Sequence, residues 1–285
     1  MKQAFWIALV FAAASAGSVF AQPAAPAEKK IGWAGTAELT VVAAGGNSEA
    51  QTFGFRGTAE RSWIDARLLL ESGALRAEQT KTTRRAIGPP SGPITILEDD
   101  STETTAENYF LRGRYDHDLV GRLFAFGGAG WDRNELAGIE NRYSIAAGAG
   151  HAWSDTDVLK NRTSYGLTYT LEEETSGLDE NFVGLRLSWD FLRKLNPGTT
   201  FTSVLILDEN LEETSDYRGD LTVSLAATMT QRLALKTSLQ ILFDNEPAFT
   251  EVGREFPAGI PAGDSVLVQL EEIDTLFTAA VVVSF

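Results

Sequence analysis

Ile64, Ala66, Leu68 and Leu70 alternate with Asp65, Arg67, Leu69 and Glu71, and this two-residue rhythm returns along almost the whole chain. Leu221, Val223, Leu225 and Ala227 interleave with Asp220, Thr222, Ser224, Ala226 and Thr228, and Leu233, Leu235, Leu239 and Ile241 with Arg232, Lys236, Ser238 and Gln240. Successive side chains of a strand point to opposite faces, so each segment has one apolar and one polar face. Past the first residues no stretch carries a 3.6-residue apolar stripe. About twelve alternating segments lie near 31–43, 50–60, 63–76, 105–118, 121–133, 141–153, 158–172, 179–193, 199–209, 216–228, 232–244 and 271–285. Most run well past the 5 or 6 residues, roughly, of a strand in a soluble domain. A tilted strand needs about 9 to 11 residues to cross a bilayer. The pattern predicts an all-β chain, an up-and-down antiparallel transmembrane barrel of about 12 strands.

The links between segments alternate in length. Short ones fall at Arg61-Ser62, Leu119-Val120, Ser154 to Asp157, Lys194 to Gly198 and Met229 to Gln231. The other set comprises Ala77 to Thr104, Asn134 to Glu140, Glu173 to Leu178, Glu209 to Ser215 and Asn245 to Leu270, with Ala44 to Glu49 as its one short member. Short turns on the periplasmic side and longer loops outside are the habit of outer-membrane barrels. An even strand number then puts both termini in the periplasm. Trp33, Trp63, Trp153, Trp189 and Phe191 fall at one set of strand ends, Trp131 and Phe243 at the other. That is where the two membrane interfaces would collect amphipathic rings.

The N-terminus reads as an export signal: Lys2, an apolar core from Phe5 to Ala16, and the small-residue pattern Val19-Phe20-Ala21. The domains expected are a signal at 1–21, a flexible Pro/Ala tether at 22–30 and the barrel at 31–285, in the outer membrane of a Gram-negative cell. Cysteine is absent, so no disulfide or thiolate metal site exists. The net charge of −15 disfavours nucleic acid as a partner.

The last strand ends Phe277-Thr278-Ala279-Ala280-Val281-Val282-Val283-Ser284-Phe285, with apolar positions alternating back from a terminal Phe. This is the form of the signal read by the barrel assembly machinery, which with the lipids of the outer membrane is an expected partner. Taken with Gly32-Trp33-Ala34-Gly35 to Gly46-Asn47, Asn141-Arg142-Tyr143 to Gly148-Ala149-Gly150, Asp244-Asn245-Glu246-Pro247 and Asp274-Thr275 onward, the chain resembles the salt-induced outer-membrane protein family, domain of unknown function 481. The resemblance implies an outer-membrane barrel of unknown biochemical role, and it brings no catalytic or ligand residues with it.

Chemistry finds little footing. The two histidines, His117 and His151, fall near predicted periplasmic strand ends, and His151-Ala152-Trp153-Ser154 lacks the His-x-Ser-Asn-Gly pattern of barrel phospholipases. Ser154 and Asp155 read as turn formers. Gly127 to Gly130 and Gly148 to Gly150 sit inside strand pattern, beside bulky neighbours, and not before a helix that could cradle phosphate. No catalytic, cofactor or metal residue is expected. Acidic clusters at Glu98-Asp99-Asp100, Glu172 to Glu174 with Asp179-Glu180, and Asp208-Glu209 with Glu212-Glu213 read as solvated outer-loop charge that attracts divalent cations weakly.

The polar faces suggest a charged lumen. Asp65, Arg67 and Glu71 on the third strand and Arg112, Arg114 and Asp116 on the fourth are expected to point inward. Antiparallel register would bring Asp65 near Arg114, Arg67 near Asp116 and Glu71 near Arg112. The function expected is a structural or passive narrow-pore barrel without enzymatic activity. The alternatives are a porin-like channel for small solutes and a barrel lipid hydrolase.

Overall fold

The computed structural model describes residues 31–44, 48–87, 95–134, 137–255 and 261–285. The signal and tether assigned to 1–30 lie outside the described residues. Fourteen strands follow in chain order: β1 Gly32–Ala44, β2 Ser48–Ser62, β3 Ala66–Ile87, β4 Thr95–Asp118, β5 Leu123–Asn134, β6 Ile139–Asp155 and β7 Leu159–Glu174. The rest are β8 Asp179–Asn196, β9 Thr199–Asn210, β10 Tyr217–Thr228, β11 Leu233–Asp244, β12 Phe249–Glu255, β13 Pro261–Gln269 and β14 Ile273–Ser284. Twelve of them close into one antiparallel barrel, each paired with its sequence neighbours except at the seam. There β14 lies between β11 and β1.

Alternation becomes inside and outside. Leu39, Val41, Phe53, Phe55, Leu111, Ile145, Leu167 and Phe277 are exposed on the outer surface. A continuous apolar belt of this kind needs lipid around it, since soluble proteins rarely expose apolar patches beyond a few hundred Å². Aromatics rim the belt. Near the end that carries Ile31 and Phe285, Arg61 stands 5.7 Å from the ring centres of both Trp33 and Trp63, and Trp189 donates to Asn161 Oδ1 at 2.9 Å. At the far end Trp131 donates to Asn141 Oδ1 at 3.1 Å, and the Tyr217 and Phe243 rings lie 5.6 Å apart.

Two predicted loops are in fact stranded. β3 and β4, 22 and 24 residues long, pair as far as Ile87 with Thr95, so most of the expected loop at 77–104 is a projecting hairpin. The register shifts at Ala77/Glu78, as bulges do at barrel rims. Beyond that rim the sequence is mostly polar, from Glu78 to Arg85 and from Glu98 to Thr104, and the apolar alternation vanishes. The Thr-rich sequence still favours strand. In the expected loop at 245–270, β12 and β13 form a separate two-stranded sheet.

The seam is held by complementary groups. Gly35 N donates to Phe285 O at 3.0 Å and Phe285 N to Gly35 O at 3.1 Å. A Cβ on Gly35 would stand 2.6 Å from the Phe285 ring, so the glycine makes the space that the terminal ring occupies. From inside, Lys236 Nζ on β11 reaches Glu38 Oε1 on β1 at 2.7 Å, passing over Ala280 of β14. Backbone bonds thus join β1 to β14, and an ion pair across β14 joins β1 to β11.

Candidate functional site in the barrel lumen

The lumen is filled in layers, and each layer is built from the inward positions of several strands. Nearest the end with the termini, Asp116 on β4 is only 2% exposed and is shared by three guanidiniums. Arg67 Nη2 lies 2.7 Å from its Oδ2, Arg114 Nε 2.7 Å from its Oδ1 and Arg162 Nη2 3.2 Å from its Oδ2. Arg114 also donates to Ser164 Oγ of β7 at 3.1 Å. Beneath them lie two inward phenylalanines of β5: Arg162 stacks 4.1 Å from the Phe124 ring centre and Arg114 4.2 Å from that of Phe126.

These rings fit because their neighbours have no side chains. A Cβ on Gly150 would come within 2.2 Å of Phe124 Cζ, and one on Gly148 or Gly166 within 3.0 Å or less of the Phe126 ring. Stacking on a ring face gives a buried guanidinium an attractive partner while its N–H edges serve the carboxylate. The layer spans β3 to β7. On the other side of the barrel the interior is packed with small buried residues, among them Thr40, Ser203, Ser224 and Ala280.

The middle layer consists of separate forks. Arg186 binds Asp208 through Nε at 2.7 Å and Nη2 at 2.9 Å. Arg112 Nε binds Asp132 Oδ1 at 3.0 Å, and Arg56 Nη2 binds Glu71 Oε1 at 3.1 Å. The planar two-point contact of Arg186 with Asp208 defines geometry as well as charge. Asp220, on β10, accepts from Gln240 Nε2 at 2.9 Å and Thr222 Oγ1 at 3.3 Å.

The far layer is a chord across the barrel. Glu172 on β7, 4% exposed, takes Arg142 Nε at 2.7 Å and Arg218 Nη1 at 2.6 Å, the second reaching over β8 and β9 from β10. Arg218 also meets Asp216 at 3.0 Å and Asp244 at 3.3 Å. Above it the connection at Ala137-Gly138 packs on Ala248. Gly138 has φ +75°, and a Cβ there would stand 2.5 Å from Ala248 Cβ and 3.1 Å from Leu270. Between the layers remains a chamber of about 520 Å³, whose lining includes Arg112, Asp132, Arg186, Asp208, Asp220 and Leu242.

Of the six residues predicted to face the lumen, Arg67, Glu71, Arg112 and Arg114 line this chamber, and Asp116 is bonded to two of them. Arg67 opposes Asp116 in register and pairs with it. Glu71 and Arg112 also oppose one another, but each bonds a different partner. The reason is room: Gly130 opposes Arg112 on β5, so the arginine stem lies over it, with its Cγ 3.4 Å from where a Cβ would be, and continues to Asp132. Asp65 is not a lumen residue. It is exposed in a turn before β3, where its carbonyl accepts from Asp118 N at 2.7 Å, and Leu69 opposes Arg114 instead. The expected approach of Asp65 to Arg114 fails because the register that sets Arg67 against Asp116 sets Leu69 against Arg114 and leaves Asp65 beside Asp118.

Two acidic positions expected as loop charge, Glu172 and Asp208, are lumen anchors. Glu173 does stay at the rim, accepting from Asn141 Nδ2 at 2.8 Å, and the side chains of Glu98 and Asp99 lie outside the described residues. Ser154 donates its hydroxyl to Leu159 O at 3.1 Å, as a turn former does. His151 stands with its ring centre 4.5 Å from that of Trp153.

With this interior in view, relatives can be placed. The sequence profile of a family described as proteins of unknown function, DUF481, matches residues 37–256. The chain belongs to this family. No curated protein matches its sequence. Similar solved structures include an anion-selective porin from Comamonas acidovorans, at 12% identity and a TM-score of 0.37 over 89% of this chain and 98% of that one. The NanC porin follows at 11% identity and 0.42 over 88% and 98%. The translocator domain of the autotransporter NalP from Neisseria meningitidis stands at 10% and 0.37 over 90% and 89%. Scores this low carry no argument about what the DUF481 barrel does.

Several residues that organise this DUF481 lumen escape a reading of alternation alone. Arg142 and Arg186 oppose their partners Glu172 and Asp208 in register on the next strand, so parity and register could have found them, whereas Arg162 and Arg218 reach carboxylates three strands away. Phe124 and Phe126 would be assigned to lipid by hydrophobicity. The signal that could have turned them inward is the small-residue run at Gly148 and Gly150, which leaves volume inside the wall.

Proposed function

We propose that this DUF481 protein is a non-enzymatic outer-membrane barrel whose lumen is braced shut or reduced to a narrow pore. The observation that carries the reading is the layer around Asp116. One carboxylate, three guanidiniums and two phenyl rings fill the sector from β3 to β7, and small buried residues fill the opposite wall. Twelve strands enclose less than the open porins of about 16 to 18, so side chains decide whether water passes. The apolar belt, Ile31 and Phe285 at one end and the apolar alternation of the last strand support export to the outer membrane of a Gram-negative cell, with insertion by the barrel assembly machinery.

Single-barrel recordings in planar bilayers test this. The native protein should show small or no conductance, and the combined substitution Arg112→Ala with Arg114→Ala should raise it clearly. Large native conductance, unaltered by that substitution, would instead establish a porin-like channel.

A further inference from the structure

The middle layer is not electrically balanced. Asp132, Asp208 and Glu71 each bind an arginine of their own, and in the far layer Asp244 lies 3.3 Å from Arg218. Asp220 lines the same chamber and accepts two hydrogen bonds, both from neutral donors, Gln240 and Thr222. The guanidiniums of Arg56, Arg112 and Arg186 are each bonded to one of the other carboxylates, and none is bonded to Asp220. An amide and a hydroxyl satisfy lone pairs without cancelling the charge. A carboxylate at membrane depth with no cation bonded to it is costly, and such groups mark ligand or ion sites.

The surroundings of Asp220 say what kind of charge would complete it. Ile206 of β9 and Leu242 of β11 oppose it in register on either side, and all three line the chamber with Val204. A carboxylate is thus set into an aliphatic wall. Arg112 stands on β4, diametrically across the ring from β10; its hydrogen bonds are committed to Asp132, and its charge acts on Asp220 only across the lumen, without a bond. The free volume of about 520 Å³ is in the range of small-molecule sites, which join an apolar lining to a few fixed polar groups.

We propose that the chamber binds a small organic cation, an ammonium or guanidinium head on an apolar body, with the Asp220 carboxylate as its counter-ion. The head replaces the missing charge of the middle layer, and the body covers Ile206, Leu242 and Val204. This inference goes beyond the braced-barrel reading and does not rest on it, because a barrel that passes no current can still hold a guest.

Calorimetry on the full refolded chain in a non-ionic detergent at low ionic strength tests it, with n-butylammonium, potassium and butyrate as probes. Saturable one-to-one binding of butylammonium is expected, with butyrate inert and potassium far weaker. Asp220→Asn should weaken binding at least about tenfold. Glu209→Gln, at the exposed rim, should leave it unchanged, and both variants should keep the heat-modifiable gel mobility of a folded barrel. Should Asp220→Asn fail that folding check, Leu242→Lys takes its place: an internal ammonium beside the carboxylate must abolish butylammonium binding. No saturable heat with any cation, equal binding by the Asp220 variant, or potassium binding as well as butylammonium would each overturn the proposal. None of these outcomes touches conductance, so the two readings fail separately.

Discussion

Replacing Asp116 by Asn tests the braced lumen at its tightest point. The substitution keeps the shape of the side chain and removes the one charge shared by Arg67, Arg114 and Arg162, at 2.7, 2.7 and 3.2 Å. Three guanidiniums then face each other over Phe124 and Phe126 with no anion at their centre, and an amide NH2 points toward donors. Breaking a buried ion pair from one side costs about 3–5 kcal/mol, chiefly because the surviving charge stays buried without compensation. Asp116 is 2% exposed and serves three partners, so the upper part of that range applies. Urea slopes for small proteins are about 1–3 kcal/mol per molar and rise with the surface exposed. With a slope near the top of that range, the unfolding midpoint should fall by about 1–2 M. The assay is tryptophan fluorescence of the refolded barrel against urea, checked by heat-modifiable mobility. Adding Arg162→Met removes one stranded charge while keeping contact with the Phe124 ring, and should recover about 1 kcal/mol or more. A midpoint within about 0.3 M of the native value, or no recovery in the double variant, would refute the reasoning.

Four further outcomes are expected. Gly150→Ala drives a Cβ to 2.2 Å from Phe124 and 2.6 Å from Thr163 O, so it should cost about 1–3 kcal/mol in the same titration. Gly127→Ala, with no atom within 4 Å of its Cβ, should stay within about 0.5 kcal/mol of native. Deleting Phe285 removes both of its hydrogen bonds to Gly35 and the ring packed there, and should lower the amount of folded barrel in membrane fractions. Normal abundance and mobility of the truncated chain would argue against a role for that residue in assembly. Calcium titrated into refolded protein should give no heat, or weak heat that monovalent salt abolishes. A tight, salt-resistant site would reveal a carboxylate cage.

A period of two repeated along the chain determined the barrel before any contact was known. Each position must face either lipid or lumen, and Leu221, Val223 and Leu225 can tolerate only the first, as a row. The strand number, the placement of the rims and the closing role of Phe285 follow from that same local rule. So does the inward direction of Arg67, Arg112, Arg114 and Asp116, because parity is local to a strand. Partner choice is not. Whether Arg112 meets Glu71 or Asp132 depends on which neighbouring strand offers a glycine to lie over. That Glu172 joins Arg218 from three strands away depends on the curvature of the closed wall. The projecting β3–β4 hairpin was hidden for a related reason: away from lipid its two faces are chemically alike, and a strand with two polar faces leaves no alternation to read. Phe124 and Phe126 show the limit most plainly. Their hydrophobicity is satisfied by lipid or by an arginine face over a glycine gap, and only the packed interior decides between the two.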